Sequence, residues 1–219
     1  METITSTCYT IITMIYLIGG APRTGKSIVS SILMRELSVP WLSTDALSTV
    51  VHNLTPISER AEKFPYKGFT NVDQLSEIEI QQKVDWQITE ANSLQIAIDS
   101  LIRHQVGVND NQILEGVHIL PQHVRTLLDD PATKDQIRVV FILSDDEPIQ
   151  LQAMRQNTSH HDWLAGASDE TFQSVAAFVI RYSQWLTAEC DKYRIPYIIR
   201  RGAFEAENNE IIRLLQAQH

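Results

Sequence analysis

GAPRTGKS, residues 20–27, is the stretch that decides the fold, since it fits the pattern G-x-x-x-x-G-K-[ST] at every fixed position. An apolar, β-branched run over residues 9–18 comes before it, and apolar residues at helical spacing follow over 26–37. The pattern predicts a strand, a glycine-rich turn and a helix whose backbone N–H groups and positive end surround a phosphate group. The residues we expect to contact a nucleotide are Gly20, Ala21, Pro22, Arg23, Thr24, Gly25, Lys26, Ser27 and Ile28.

Two side chains of this stretch carry distinct chemistry. Lysine at this position bridges the β- and γ-phosphates of a nucleoside triphosphate, and the following hydroxyl ligates Mg²⁺. We therefore predict a catalytic role for Lys26 and a metal-binding role for Ser27. The alternative is a glycine-rich turn with an exposed lysine.

Apolar runs and helical spacings alternate along the rest of the chain. The predicted strands cover residues 39–42, 112–117, 137–143 and 196–199. The predicted helices cover residues 75–105, 121–128, 148–157 and 172–193, with 211–215 in a closing helix. Strands that alternate with helices form a parallel sheet covered on both faces, so we predict a three-layer α/β fold.

Two segments lack this periodicity. Residues 52–73 carry prolines, a glycine and aromatic residues, which predicts a loop-rich insertion of the kind that often has a function. Residues 158–169 are a polar stretch that contains His160 and His161. These histidines do not favour a metal site, because adjacent side chains point apart and no cysteine lies near them.

The composition excludes several classes of protein. The 219 residues include 18 Lys and Arg against 27 Asp and Glu, a net charge of −9, and 43% are hydrophobic. The acidic balance argues against nonspecific binding of nucleic acid. No apolar stretch approaches the ~18 residues of a membrane-spanning helix, and the first residues lack the basic opening of a signal peptide. We expect a soluble cytoplasmic protein in which Cys8 and Cys190 are reduced thiols.

Asp45 follows the second predicted strand, in WLSTDAL. Ligands of an open α/β sheet bind at this edge, where a carboxylate can take the proton of an attacking hydroxyl group. We predict that Asp45 is catalytic. The alternative is a helix N-cap, which aspartate also provides well.

Glu115 ends the third predicted strand, in QILEGVHILP. A carboxylate at the end of an apolar strand is costly to bury without Mg²⁺, its water or a cationic side chain. We predict a metal-binding role for Glu115, and the alternative is a partly exposed acid at a strand end.

Other classes of phosphate-binding protein fit less well. The N-K-x-D motif of a GTPase is absent. A motor ATPase places an acidic pair directly after an apolar strand, whereas here Ser144 separates the acidic run Asp145–Glu147 from that strand. We interpret that run as negative charge at the start of a helix, and the alternative is a metal-binding role.

Phosphoryl transfer also calls for an arginine that closes over the moving group. We predict that Arg155 has this role, with Arg23, Arg125 and Arg181 as further candidates. Arg200, with Arg201 beside it, is expected either to stack on adenine or to face water.

These segments together resemble the small-molecule P-loop kinases. Four segments of this chain, taken in order, are similar to 2-phosphoglycerate kinase: LIGGAPRTGKS, WLSTDAL, ILEGVHILP and PYIIRRGAFE. More distantly, their layout is similar to chloramphenicol phosphotransferase, zeta-toxin kinases and adenylate-kinase-like enzymes. The resemblance implies ATP, Mg²⁺, a mobile lid and a five-stranded sheet in the order 2-3-1-4-5. It casts Gly20, Gly25, Lys26 and Ser27 as nucleotide contacts, Asp45 as base or acceptor contact, and Glu115 as metal or acceptor contact.

We therefore expect one P-loop kinase domain over residues 1–219, with an acceptor-binding insertion at about 52–73 and a lid at about 153–171. The expected reaction is ATP-dependent transfer of the γ-phosphate to a hydroxyl or phosphate group of a small metabolite, for which a 2-phosphoglycerate-like acceptor fits the resemblance. We expect a monomer or homodimer with no nucleic-acid or membrane partner. The alternatives are an ATP-binding regulatory switch that acts on a macromolecular partner and a toxin-like kinase of nucleotide sugars.

Overall fold

The computed structural model describes residues 13–160 and 162–217, and within them it has one parallel sheet of five strands. The strands are β1 (Ile15–Gly20), β2 (Trp41–Ser43), β3 (Gln112–Glu115), β4 (Ile137–Ser144) and β5 (Tyr197–Arg200). Their spatial order is β2-β3-β1-β4-β5, and every neighbouring pair is parallel. The predicted sheet order is therefore confirmed.

The helices fill the connections between these strands. They are α1 (Lys26–Leu37), α2 (Thr44–Leu54), α3 (Ile57–Lys63), α4 (Ile80–Val108), α5 (Pro121–Asp129), α6 (Glu147–Asn157), α7 (Asp169–Tyr193) and α8 (Phe204–Ala217). Among the described residues, no helix is both long enough and apolar enough to span a membrane.

Helices cover both faces of the sheet, as β4 shows most clearly. All eight residues of β4 are buried, and neighbouring side chains point to opposite faces. Phe141 packs into the core formed with α4, α5 and α7, whereas Val140 and Ile142 pack into the core formed with α1 and α8. Three layers therefore hold the carboxyl ends of the strands at one edge of the sheet.

The first strand begins and ends later in the chain than expected. The predicted run over 9–18 becomes a strand that begins at Ile15 and continues through Gly20, and its first part, with Cys8 before it, lies outside the described residues. A Cβ atom on Gly20 would lie 2.1 Å from the carbonyl oxygen of Ile142. Glycine therefore lets the strand stay paired up to the point where the phosphate loop turns away.

The prediction that residues 52–73 are rich in loops is wrong. Helix α2 continues to Leu54, α3 follows, and 3₁₀ turns cover Pro65–Gly68 and Val72–Glu77. Pro56 immediately precedes α3 and Pro65 opens the first 3₁₀ turn. Proline fits the start of a helix, where its missing N–H group has no partner to lose, so these prolines mark helix starts rather than loops.

The limits of the long fourth helix also differ from the prediction. Leu75 lies in a 3₁₀ turn, so the helix begins only at Ile80. It also continues beyond the predicted end at residue 105 as far as Val108, and Asn109 caps it in the left-handed conformation. Asparagine tolerates that conformation almost as readily as glycine, which explains the displaced end.

Candidate active site

A cleft of about 970 Å³ opens at the carboxyl edge of the sheet. The phosphate loop and the start of α1 form one wall, the ends of β2 and β3 form another, and α6 with the segment after it covers the top. Lys26, Ser27, Asp45 and Glu115 all line this cleft. The structure therefore brings together four residues that lie up to 89 positions apart in the sequence.

The phosphate loop is folded around the start of α1. Gly25 precedes the helix with φ 85°, in the left-handed region, and the first turn of α1 has neither a side-chain cap nor an acidic residue. Its N–H groups and positive dipole end are thus open toward the cleft and suited to an anion. Thr24 Oγ1 donates to the carbonyl oxygen of Ala21 across the loop, at 2.9 Å.

Lys26 lies folded back into this loop. Its Nζ donates to the carbonyl oxygen of Ala21 at 2.6 Å, and only 6% of the residue is exposed. Burial lowers the pKa of Lys26, while the nearby carboxylates of Glu115 and Asp45 oppose that change. The side chain is therefore a partly desolvated cation held where phosphate oxygens would arrive.

Ser27 and Glu115 meet directly. The Ser27 hydroxyl donates to Glu115 Oε2 at 2.7 Å, and Glu115 is almost fully buried at the end of β3. Hydroxyl and carboxylate oxygens are ligands that Mg²⁺ takes in nucleotide sites, where phosphates and waters complete its shell. The two residues fit that role, and no cluster of three or more His, Cys, Asp or Glu suited to a metal occurs within residues 13–160 and 162–217.

Asp45 lies in the first turn of α2, with 73% of its side chain exposed. The N-cap role that was its alternative belongs to Ser43, whose hydroxyl accepts from the Asp45 backbone N–H at 3.2 Å. The Asp45 carboxylate is therefore left free to reach into the cleft. The helix start places a negative charge where the dipole stabilises it.

A buried histidine stands behind Asp45. His118 Nδ1 lies 2.9 Å from Thr44 Oγ1 and 3.7 Å from Asp45 Oδ1. On its other side, Nε2 lies 3.8 Å from Glu90 Oε2, and Glu90 also accepts the backbone N–H of Tyr66 at 2.8 Å. This row of polar groups ties the start of α2 to β3 and α4.

Gly116 makes this contact between β3 and α2 feasible. A Cβ atom at position 116 would lie 1.7 Å from Thr44 Oγ1, closer than any pair of non-bonded atoms can approach. Thr44, Glu90 and Gly116 were not singled out from the sequence. The spacing of Gly116 and His118 after Glu115 was a usable signal, but nothing local indicated Thr44 or Glu90 as their partners.

Arg23 connects the phosphate loop to the covering segment. Its guanidinium group pairs with the carboxylate of Asp162, and it also donates to Thr158 Oγ1 at 3.1 Å. The Arg23 carbonyl oxygen accepts from Gln150 Nε2 at 3.2 Å. The polar stretch after α6 thus lies against the loop, and Asp162 is a site residue that the sequence did not single out.

Arg155 does not reach the cleft in this structure. It lies on α6 beside the cleft, and its guanidinium group donates to Asp169 Oδ1 at 2.8 Å on the exposed side. Arg125 pairs in the same manner with Asp129 at 2.6 Å, outside the cleft. The catalytic role of Arg155 stays a prediction that requires the pair with Asp169 to open.

Arg200 does not face water, contrary to one of its two expected roles. Only 4% of it is exposed, and it is paired with Glu207 at 3.3 Å and donates to Asn208 at 2.6 Å and to the Thr24 carbonyl oxygen at 3.1 Å. Its guanidinium carbon also lies 4.3 Å from the ring centre of Phe204, which lines the cleft. Arg200 therefore supports the phosphate loop from beneath.

Asp146 and Cys190 are two further predicted features, and neither lines the cleft. Asp146 caps α6 by accepting the Ile149 N–H at 2.9 Å, which agrees with its interpretation as charge at a helix start. Burial raises the pKa of the Cys190 thiol well above its usual range. His161 lies outside the described residues.

No family model and no curated protein matches this chain. Among solved structures, a "putative kinase" from Chloroflexus aurantiacus is similar over 95% of this chain and 100% of its own, at 12% identity and a TM-score of 0.51. A gluconokinase from Sinorhizobium meliloti is similar over 94% of this chain and 93% of its own, at 13% identity and a TM-score of 0.50.

The fold is that of the P-loop NTPases. The likeness covers nearly the whole of each chain, and the sheet order agrees with it. At this identity the likeness shows the P-loop fold alone, because one such fold supports many reactions. The resemblance to 2-phosphoglycerate kinase therefore stays a prediction.

Proposed function

We propose that this chain is an ATP-dependent phosphotransferase that moves the γ-phosphoryl group of ATP to a hydroxyl group of a small molecule. One observation carries the proposal: Asp45 faces the same cleft as the Ser27–Glu115 pair and Lys26. A site that only bound a nucleotide would need Lys26, Ser27 and Glu115 but not Asp45. A free carboxylate across from them supplies the group that receives the acceptor's proton.

The phosphate loop holds and orients the triphosphate in this proposal. The open N–H groups at the start of α1 bind phosphate oxygens, and Lys26 moves its Nζ from the Ala21 carbonyl oxygen to the β- and γ-phosphates. The exchange costs little, because the ammonium group leaves one oxygen acceptor for stronger, charged ones. Lys26 then neutralises charge that develops on the transferred group.

Ser27 and Glu115 would hold Mg²⁺, directly or through water. When bound, the ion would neutralise part of the charge on the phosphate oxygens. The hydroxyl of Ser27, now hydrogen-bonded to Glu115, would turn toward the ion, and the Glu115 carboxylate would keep it oriented. Burial at the end of β3 holds that carboxylate in place.

Asp45 acts on the acceptor. Its carboxylate accepts the proton of the hydroxyl group as the new O–P bond forms and the bond from the γ-phosphorus to the bridging oxygen breaks, which releases ADP. His118 and Thr44 position the start of α2, and therefore the carboxylate, through their hydrogen bond. We assign His118 a positioning role, since it is buried behind Asp45.

The segments that flank the cleft have separate tasks. The insertion at about 52–73 begins in α2, the helix that carries Asp45, and we assign it to acceptor recognition. The lid at about 153–171 contains Thr158 and Asp162, which contact Arg23 of the phosphate loop. Closure of this lid would exclude water, which otherwise accepts the phosphoryl group. It would also bring the Arg155 side chain over the transferred phosphoryl group.

The test is release of ADP from Mg·ATP by purified protein, alone and with a panel of small hydroxyl compounds. We expect one class of compound to stimulate release and to become phosphorylated, and we expect Lys26→Ala to abolish both effects. Tight binding of ATP without stimulation by any small molecule would instead favour a regulatory switch that acts on a macromolecular partner.

A further inference from the structure

We propose that the acceptor carries no negative charge, and that it is a neutral or amine-bearing alcohol rather than a phosphorylated or carboxylated one. The inference rests on the proposed function and names the substrate class of the same cleft. It follows from how charged side chains are divided between two sides of that cleft. The phosphate side comprises residues 22–28 with Arg200 and Phe204, and the acceptor side comprises Asp45 and residues 115–117.

Every cationic side chain of the cleft lies on the phosphate side. Among the described residues that line it, the Lys and Arg side chains are Arg23, Lys26 and Arg200. Arg23 is paired with Asp162, and Arg200 is paired with Glu207 and bound to Asn208. Lys26 is the cation that remains, and a bound triphosphate requires it.

The acceptor side is anionic. Asp45 presents an exposed carboxylate, and Glu115 a buried one that faces Ser27. Directly behind Asp45, the imidazole of His118 separates it from a third carboxylate, that of the buried Glu90. The neighbouring lining residues, Gly116 and Val117, are apolar.

Further cations lie on the insertion and on α4, and none of them lines the cleft. Arg60 donates to the carbonyl oxygens of Thr55 and Asn53, and Lys63 is paired with Glu59. Lys67 is exposed on the insertion, where its Nζ lies 3.4 Å from Thr49 Oγ1, one helical turn beyond Asp45 on α2. Lys83 is buried between α4 and α7, where it donates to the hydroxyl of Ser174. The acceptor side thus has no cation of its own among the described lining residues.

An anionic acceptor would be poorly held in such a site. Its charge would face the Asp45 carboxylate on one side and, on the other, a triphosphate whose charge Lys26 and a bound Mg²⁺ would neutralise only in part, and like charges repel in a partly buried site. Sites that bind phosphate or carboxylate groups supply arginine, lysine or helix N-termini for them. Here the start of α2 already holds Asp45.

A neutral or amine-bearing alcohol suits the same groups. Its hydroxyl groups can donate to Asp45, and an ammonium group would be attracted to the exposed carboxylate. This argues against the 2-phosphoglycerate-like acceptor that the sequence resemblance favours, because that molecule carries both a phosphate and a carboxylate. The selectivity would come from repulsion of the wrong acceptor as much as from attraction of the right one.

The experiment separates acceptors by charge before their identity is known. A deproteinised cell extract is passed over an anion-exchange resin at neutral pH, and the unretained and the eluted anionic fractions are each incubated with the protein and γ-³²P-labelled Mg·ATP. Labelled small molecules are then resolved by chromatography. Lys26→Ala protein is the control that removes label made by this active site.

We expect labelled product from the unretained fraction, at about tenfold or more above that from the anionic fraction. Label that depends on Lys26 and forms mainly from the anionic fraction would overturn the inference and leave the phosphotransferase in place. No labelled small molecule from either fraction, with ATP bound, would overturn both.

A variant of the insertion sharpens the result. Lys67→Ala removes an exposed cation from the segment assigned to acceptor recognition, and we expect it to leave the ratio of product from the unretained fraction to product from the anionic fraction unchanged. A pair of defined compounds, glucosamine and glucosamine 6-phosphate, checks the same point because the two differ by one phosphate group, which carries about −1.5 to −2 charges at pH 7. Transfer to the phosphorylated member alone, lost in Lys67→Ala, would show that an anion site exists on the insertion and would overturn the inference.

Discussion

The two sides of the cleft are built in opposite ways. The phosphate side comes mainly from one continuous stretch, residues 22–28, and holds its cations in place with backbone carbonyl oxygens and buried partners. The acceptor side comes from the start of α2, the end of β3 and the two residues after it, and its key carboxylate, Asp45, is exposed. The phosphate side is therefore preorganised for one constant ligand, whereas the acceptor side depends on how separate elements meet.

The largest predicted effect is the loss of phosphoryl transfer when Lys26, on the phosphate side, is replaced. Lys26→Ala should lower phosphoryl transfer by about 10³-fold or more, because a buried cation aimed at the triphosphate is lost. ADP release at saturating acceptor measures it. Lys134→Ala, which removes an exposed lysine from a distant 3₁₀ turn, is the matched control. Undiminished transfer by Lys26→Ala would contradict the assignment of this side.

A change on the acceptor side should separate transfer from nucleotide binding. Asp45→Asn should lower transfer by roughly 10²–10³-fold, since the amide cannot take the proton, while the affinity for ATP stays nearly constant. Isothermal titration with ATP and the transfer assay give the two values. Asp85→Asn on the exposed face of α4 is the control. Equal loss of both properties would mean that Asp45 belongs to the nucleotide site.

The lid connects the two sides, and its predicted arginine is open to a direct test. Arg155→Ala should lower transfer by roughly 10²-fold if the pair with Asp169 opens and the guanidinium group closes over the moving phosphoryl group. Arg125→Ala is closely matched, since it also breaks an exposed pair with an aspartate. Equal rates for both variants would remove Arg155 from the mechanism.

The smallest predicted effect is on stability, at the junction that positions Asp45. Gly116→Ala should lower the free energy of unfolding by about 1–3 kcal/mol, because its Cβ atom would overlap Thr44 Oγ1. Gly107→Ala, in a helical position with open space around it, should instead raise it by about 0.5–1 kcal/mol. Urea denaturation of both variants measures the two changes in the free energy of unfolding. An unchanged free energy of unfolding for Gly116→Ala would show that β3 and α2 move apart easily.

Much of the fold could be predicted from the sequence because strong local patterns encode it. The apolar run of β4 and the helical spacing of α1 and α7 predicted buried elements close to their true limits. The prediction of a loop-rich insertion is wrong because Pro56 and Pro65, although proline is typical of loops, are equally suited to the start of a helix. Composition alone does not distinguish these two uses of proline.

The residues of the candidate site could be predicted for different reasons on the two sides of the cleft. Lys26 and Ser27 could be predicted because the loop, its glycines and its helix are adjacent in the sequence, so their spacing alone specifies the geometry. Asp45 and Glu115 could be predicted because parallel strands bring their carboxyl ends to one edge. In both cases a general rule replaces knowledge of the contacts.

The tertiary structure alone decided the rest. Thr44 with His118, Glu90 behind them, and Asp162 on Arg23 are contacts between segments that lie 28 to 139 positions apart, and no periodicity or motif records such pairs. The charge of the acceptor side also emerges only when α2 packs beside the end of β3. The sequence determined where the proposed phosphate site lies, because backbone N–H groups in one short loop suffice for such a site. Packing determined what can lie beside it, because that depends on which distant side chains share the space.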